Sequence, residues 1–144
     1  MIKKAAIGDA EILAMLSIKM WPDHDPDELA EEFSILIRNI DAACFFKYID
    51  NRPVAFAQCQ LRHDYVEGTN SSPVGYLEGR FVSEEYRRKG YAAELLEECE
   101  KWAQEKGCLK FASDCELNNT DSMRFHMANG FKETNRIICF KKNL

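Results

Sequence analysis

Leu77-Glu78-Gly79-Arg80-Phe81-Val82-Ser83-Glu84-Glu85-Tyr86-Arg87-Arg88-Lys89-Gly90-Tyr91-Ala92 passes from the period of a strand to the period of a helix within one short segment. Its first positions alternate, with Leu77, Gly79 and Phe81 toward one side and Glu78, Arg80 and Val82 toward the other. A polar turn, Ser83 to Tyr86, follows, and a helical pattern opens near Lys89. A strand that feeds a helix through Arg87-Arg88-Lys89-Gly90-Tyr91-Ala92 leaves several main-chain N–H groups pointing one way, at the positive end of the helix dipole. Such a junction accepts phosphate. The pattern Arg-x-x-Gly-x-Ala is neither the Gly-x-Gly-x-x-Gly of dinucleotide folds nor a P-loop, which needs Gly-Lys-Ser/Thr. A basic, solvated turn has the same composition, so the surrounding elements decide.

At 144 residues the chain suits one domain, residues 1–144, with a real core and no second domain. A formal net charge of −5 argues against general nucleic-acid binding and suits a cationic small substrate. No apolar run approaches membrane-spanning length, and Met1-Ile2-Lys3-Lys4 leads into Asp9 and Glu11 rather than a signal-peptide core. Cytoplasmic residence is the expectation. Six cysteines stand in no Cys-x-x-Cys spacing and mostly within apolar runs, so buried reduced thiols are expected. Three scattered histidines give no support for a metal site.

Outward from the central segment, Ile2 to Ile7 reads as a first strand. Asp9 is placed to cap a helix with Ile12, Leu13, Met15, Leu16 and Met20 on one side, stopped at Trp21-Pro22. A second helix runs from Asp25-Pro26 to about Asn39, with Leu29, Phe33, Leu36 and Ile37 buried. Its acidic first turns, Asp25 to Glu32, read either as favourable dipole charge or as a rim that attracts a polycation. Cys44 to Ile49 and Pro53 to Asp64 form a hairpin about Asp50-Asn51-Arg52, and Val66 to Pro73 is a loop. Val74 to Val82 is the central strand. The helix from Lys89 to Glu105 buries Leu95, Leu96, Cys99, Trp102 and Ala103. Cys108 to Asp114 is an apolar strand, Asn119 to Asn129 a short helix, and Phe131 to Lys141 the closing strands. The class is α/β, with a mixed, mostly antiparallel sheet, a central parallel strand pair and flanking helices.

This order, with Arg87-x-x-Gly90-x-Ala92 and Asn119…Phe125-His126-x-x-x-Gly130-Phe131, resembles the GCN5-related N-acetyltransferases over the whole length. The resemblance implies acetyl-CoA as cosubstrate, with its pyrophosphate on Arg87, Arg88, Lys89, Gly90, Tyr91 and Ala92 and its pantetheine side near Asn119. Acetyl transfer needs a neutral amine, a proton acceptor and oxyanion donors. Main-chain N–H groups near Phe81 and Val82 supply the donors if the strand is bulged or splayed there. Many acetyltransferases place a Tyr hydroxyl where His126 stands, and the general acid is left open.

Glu78 is a carboxylate in the most strand-like run of the chain. It either reaches a cleft, where it binds ammonium groups and accepts the amine proton, or pairs with Arg80 or another cation. Asp114 ends the neighbouring strand, where ligands of open α/β sheets collect, or it caps the turn Asp114-Cys115-Glu116. Trp21-Pro22-Asp23-His24, Arg62-His63-Asp64-Tyr65-Val66-x-Gly68, Ser71-Ser72-Pro73-Val74-x-Tyr76-Leu77-Glu78-Gly79 and Phe111-Ala112-Ser113-Asp114 resemble the chromosomal aminoglycoside 6′-N-acetyltransferases. That resemblance implies a drug site lined by Trp21, His24, Tyr65, Glu78 and Asp114, direct transfer in a ternary complex, and a homodimer involving the C-terminal strand. Relatives in this group use an acidic residue after Gly-Phe; Glu133 and Asn135 straddle that place here. Two other readings stay open: an acetyltransferase of the same fold acting on another amine (polyamine, metabolite or protein N-terminus), and a non-catalytic module that binds a cationic ligand.

Overall fold

The computed structural model describes residues Met1 to Leu144. In chain order the elements are β1 (Ile2–Lys4), α1 (Ala10–Ser17), α2 (Pro26–Arg38), β2 (Ala42–Ile49), β3 (Arg52–Arg62), β4 (Val74–Val82), α3 (Tyr91–Glu105), β5 (Phe111–Ala112) and α4 (Thr120–Ala128). The strands form one sheet in sequence order, antiparallel from β1 to β4 and parallel between β4 and β5. The mixed sheet with flanking helices is the expected class.

Each face of the sheet carries one apolar layer. Leu95, Leu96, Cys99, Trp102 and Ala103, the expected stripe of α3, pack on Ala43, Phe45, Ala55, Ala57 and Leu77. On the other face Leu13 and Leu16 of α1 and Leu29 and Phe33 of α2 pack on Cys44, Phe46, Phe56 and Phe81. Gly75 marks the tightest approach: a Cβ there would come within 2.5 Å of the Phe111 ring and 2.7 Å of Ala103. Buried Lys47 is paired with Glu94 and lies 4.7 Å from the Tyr91 ring centre, which ties β2 to the first turn of α3.

Leu77 and Phe81 do not share a face, contrary to the alternation of their sequence. The β3–β4 register passes from Gln58↔Gly79 to Cys59↔Leu77, so Glu78 is an extra residue opposite no partner. That is a β-bulge. It turns the strand by one position, which puts Leu77 under α3 and Phe81 under α1 and α2.

Several boundaries differ from those the sequence suggests. β1 is shorter, and α1 ends at Ser17, continued by turns in which Met20 and Trp21 N–H bond the Ser17 carbonyl at 2.9 and 3.0 Å. Met15 is exposed, because α1 buries only the narrower stripe of Leu13, Ala14 and Leu16. Asp9 stands at the α1 N-cap without capping it; its carboxylate accepts from the Ala6 N–H at 2.8 Å and pairs with Lys3. The hairpin turn residues Asp50 and Asn51 both have positive φ, as a type I′ turn requires.

The closing strands expected over Phe131 to Lys141 do not form. A strand needs a ladder partner, and the segment is led away from β5: Thr134 sits against Gly68, and Asn135 Nδ2 donates to Glu67 Oε1 at 3.1 Å. Beyond that clasp Ile137, Ile138 and Phe140 are 73, 81 and 91 % exposed. The parallel pair of β4 and β5 therefore lies at the edge of the chain's own sheet.

Candidate functional site

β4 and β5 pair only at Gly75↔Phe111 and Tyr76↔Ala112, then diverge. From Leu77 to Val82 the β5 side of β4 has no strand partner, which opens a wedge-shaped gap in the sheet. The Ser83 N–H bonds the Val54 carbonyl at 2.9 Å, so it faces β3. Strand groups alternate sides, so the Phe81 N–H also faces β3 and the Val82 N–H faces the gap. Of the two expected oxyanion donors, the geometry leaves Val82 available. The Phe81 side chain is core.

The loop from Arg87 to Ala92 stands at the wide end of the gap. Arg87 is exposed, and its Nε donates to the Val82 carbonyl at 3.0 Å, which ties the loop to the strand end. Arg88 and Gly90 take left-handed conformations, with φ of 61° and 81°. α3 starts immediately after, at Tyr91, two residues later than its sequence pattern suggests. The first helical bond is Glu94 N–H to the Gly90 carbonyl, and the N–H groups of Arg88 to Ala93 find no acceptor in the protein. No side chain caps this end either. A concave row of unpaired donors on the positive end of a fifteen-residue helix fits a pyrophosphate.

At the narrow end the structure brings together Glu78 and Asp114, and it does so through two residues that the sequence reading gave no role. Arg62, at the end of β3, forks onto Glu78, with Nε–Oε1 and Nη2–Oε2 both 3.0 Å. Its guanidinium lies 3.4 Å from the centre of the Tyr76 ring, and the Tyr76 hydroxyl donates to Asp114. Glu78 thus has Arg62 as its partner and not Arg80, which stacks 3.7 Å from the Phe125 ring centre. Burial, reinforced by Asp114, pushes the Tyr76 phenol well above its ordinary range, so it remains a donor. Donation to Glu78 raises the Arg62 guanidinium further still, and it stays charged. Asp114 is engaged by Tyr76 rather than acting only as a turn cap.

The aromatic candidates lie on loops. Trp21, 43 % exposed, and His24 lie between α1 and α2 with ring centres 5.7 Å apart and planes tilted by 44°, and Tyr65 is 76 % exposed after β3. No hydrogen bond or ring contact joins them to the two acids. The acidic start of α2 supplies its own cap, Asp25 accepting from the Asp27 N–H at 2.9 Å. Asn119 caps α4 by accepting from the Ser122 N–H at 3.1 Å, which leaves its amide nitrogen unpaired.

His126 reaches the same gap from α4. Its Nδ1 meets the Ser122 carbonyl at 2.6 Å and therefore carries a proton, and its Nε2 lies 2.8 Å from the Ser113 hydroxyl. Ser113 also approaches the Leu77 carbonyl at 3.4 Å, on the open side of β4. No cluster of His, Cys, Asp or Glu has metal-binding geometry. A separate hollow of about 220 Å³ beside β1, β2 and the end of α2 shares no residue with the gap.

A chain with an anion cradle at one end of a splayed sheet and a pair of linked carboxylates at the other can hold an anionic donor against a cationic acceptor. Residues 9–131 match the acetyltransferase (GNAT) family. The chain is 42 % identical over 130 residues to an aminoglycoside N(6′)-acetyltransferase type 1 of Serratia marcescens, covering 90 % of this chain and 89 % of that one. It is 39 % identical over 141 residues to the enzyme of the same description from Acinetobacter baumannii, with 96 % of each chain covered. Among solved structures it superposes with a TM-score of 0.94 on AAC(6′)-Iy in complex with the bisubstrate analogue CoA-S-monomethyl-acetylneamine. There the identity is 35 %, with 100 % of this chain and 98 % of the other covered.

Proposed function

The chain belongs to the GNAT family of acetyltransferases, and we propose that it transfers the acetyl group of acetyl-CoA to the 6′-amine of aminoglycoside antibiotics. The observation that carries this reading is the placement of the unpaired Arg88–Ala93 donors and the Glu78–Asp114 pair at opposite ends of one gap.

Acetyl-CoA supplies the activated acyl group. The loop from Arg87 to Ala92 holds its pyrophosphate, and the free amide of Asn119 is available to the pantetheine side. The Val82 N–H faces the place where charge develops on the thioester oxygen. Glu78 binds an ammonium group of the drug and takes the proton of the attacking amine, directly or through water. Asp114 binds a second ammonium. Trp21, His24 and Tyr65 supply aromatic surface for the sugar rings. Transfer is direct in a ternary complex, because none of the six cysteines pairs with a His and an acid as an activated nucleophile does.

We place the whole catalytic unit in residues 1–144 and the protein in the cytoplasm, where acetyl-CoA is made and where six unpaired thiols remain reduced. No helix is long and apolar enough to cross a membrane. Two copies pair through the C-terminal segment, whose exposed Ile137, Ile138 and Phe140 seek a strand edge in the other copy. The test is thiol release from acetyl-CoA with tobramycin, a polyamine and an aminoglycoside bearing a hydroxyl at the 6′-carbon. Release above the blank with tobramycin alone is expected. Equal release with the 6′-hydroxyl compound, or none with any drug, rejects the assignment.

A further inference from the structure

The carboxylate that meets the drug in this reading is not vacant in the free protein. Arg62 occupies both oxygens of Glu78, at 3.0 Å each, in the bidentate fork that guanidinium forms best with a carboxylate. Its plane rests on the Tyr76 ring, which holds the head group in place independently of Glu78. Tyr76 is itself buried and bonded to Asp114. The cation therefore lies between the two acids, bound to one and stacked on the residue that holds the other. Charge matters most here: two carboxylates and one guanidinium leave the cluster with a single net negative charge.

We infer that Arg62 is a resident placeholder for substrate: its guanidinium takes the position of a drug ammonium on Glu78 and must be exchanged for it, which makes the site selective for polycations. The inference rests on the aminoglycoside reading and concerns the same site. The Arg62 side chain is 40 % exposed, against 21 % for Glu78. The arginine thus sits at the solvent side of the pair, where it can swing out while the carboxylate stays. It hangs from the last residue of β3, and swinging the side chain out leaves the backbone pairing Arg62↔Val74 in place. A ligand with one weak positive charge gains too little at Glu78 to replace a forked, stacked guanidinium. A polycation gains at Glu78 and Asp114 together.

The experiment is steady-state kinetics of Arg62→Gln with tobramycin and with a simple diamine, alongside calorimetric binding of each compound without acetyl-CoA. An exposed ion pair contributes up to about fivefold in an equilibrium, so the tobramycin KM and Kd should each fall about fivefold. kcat should move less than KM, and diamine acetylation should rise relative to tobramycin. An unchanged or raised tobramycin Kd overturns the inference and makes Arg62 a prop for Glu78 instead. If the Gln variant fails to fold, Arg62→Lys retains the charge but loses the fork. It should lower Kd by a smaller factor, and an unchanged or raised value again overturns the inference. Failure of the wild-type protein to acetylate any aminoglycoside would instead reject the parent reading, and the binding ratios do not depend on turnover.

Discussion

Replacing Glu78 by Gln keeps the shape of the side chain and one acceptor oxygen, and removes the charge, the proton acceptor and one of the two oxygens that accept from Arg62. A unit charge about 4 Å from a substrate ammonium contributes about 4 kcal/mol at an effective dielectric of 20. The Glu78 side chain is 21 % exposed, so solvent screens part of this. About 2–4 kcal/mol of transition-state stabilisation should be lost, which corresponds to about 30- to 900-fold in kcat/KM for tobramycin. Arg62, deprived of its counter-charge, adds repulsion toward the incoming ammonium. Stability should barely change, by about 0.2–1 kcal/mol, because the pair is partly solvated. The assay is thiol release with urea unfolding as the control. A kcat/KM within threefold of wild type, in a protein of wild-type stability, would remove Glu78 from the site.

Gly90→Ala should raise the acetyl-CoA KM several-fold while leaving the drug KM in place; its φ of 81° costs an alanine about 1–2 kcal/mol, although a Cβ there meets nothing within 4 Å. Equal effects on both substrates in a kinetic matrix would contradict the cradle. Tyr76→Phe should leave Asp114 without its donor and lower kcat/KM. The same variant should flatten the loss of stability above about pH 10. A phenol whose pKa is raised in the folded state stabilises fully below its unfolded value and loses that contribution as pH rises further. Unfolding curves that decline with pH equally in both proteins would refute this. Deletion of residues 136–144 should convert a dimer to a monomer in light scattering; an unchanged mass would place the interface elsewhere.

Much of this architecture was legible in the chain because it is local. The bounds of β4 and the buried stripe of α3 follow from apolar spacing, and Arg88–Ala92 announces its unpaired donors through its place between a strand and a helix. The bulge at Glu78 was not legible. Alternation continues unbroken through Leu77, Gly79 and Phe81, and only the pairing with Gln58 and Cys59 reveals the extra residue. The Arg62–Glu78 fork was hidden for the same reason. It joins residues 16 apart across that register, and Arg80, two positions away, looked the nearer partner. A basic residue at the end of β3 in the segment carrying the drug-site resemblance was the available signal. The C-terminal strands failed because strand-like sequence specifies a propensity, while a ladder requires a partner, and the contacts of Thr134 with Gly68 and of Asn135 with Glu67 hold this segment elsewhere.

The nitrogen of tobramycin that receives the acetyl group is the most direct test of the site. If Glu78 and Asp114 hold the polycation at one end of the gap and the Arg87–Ala92 loop cradles acetyl-CoA at the other, nuclear magnetic resonance of the purified product should show a single acetamide, on the 6′-nitrogen. An acetyl group on another amine, or a mixture of positions, would contradict the proposed geometry of the site.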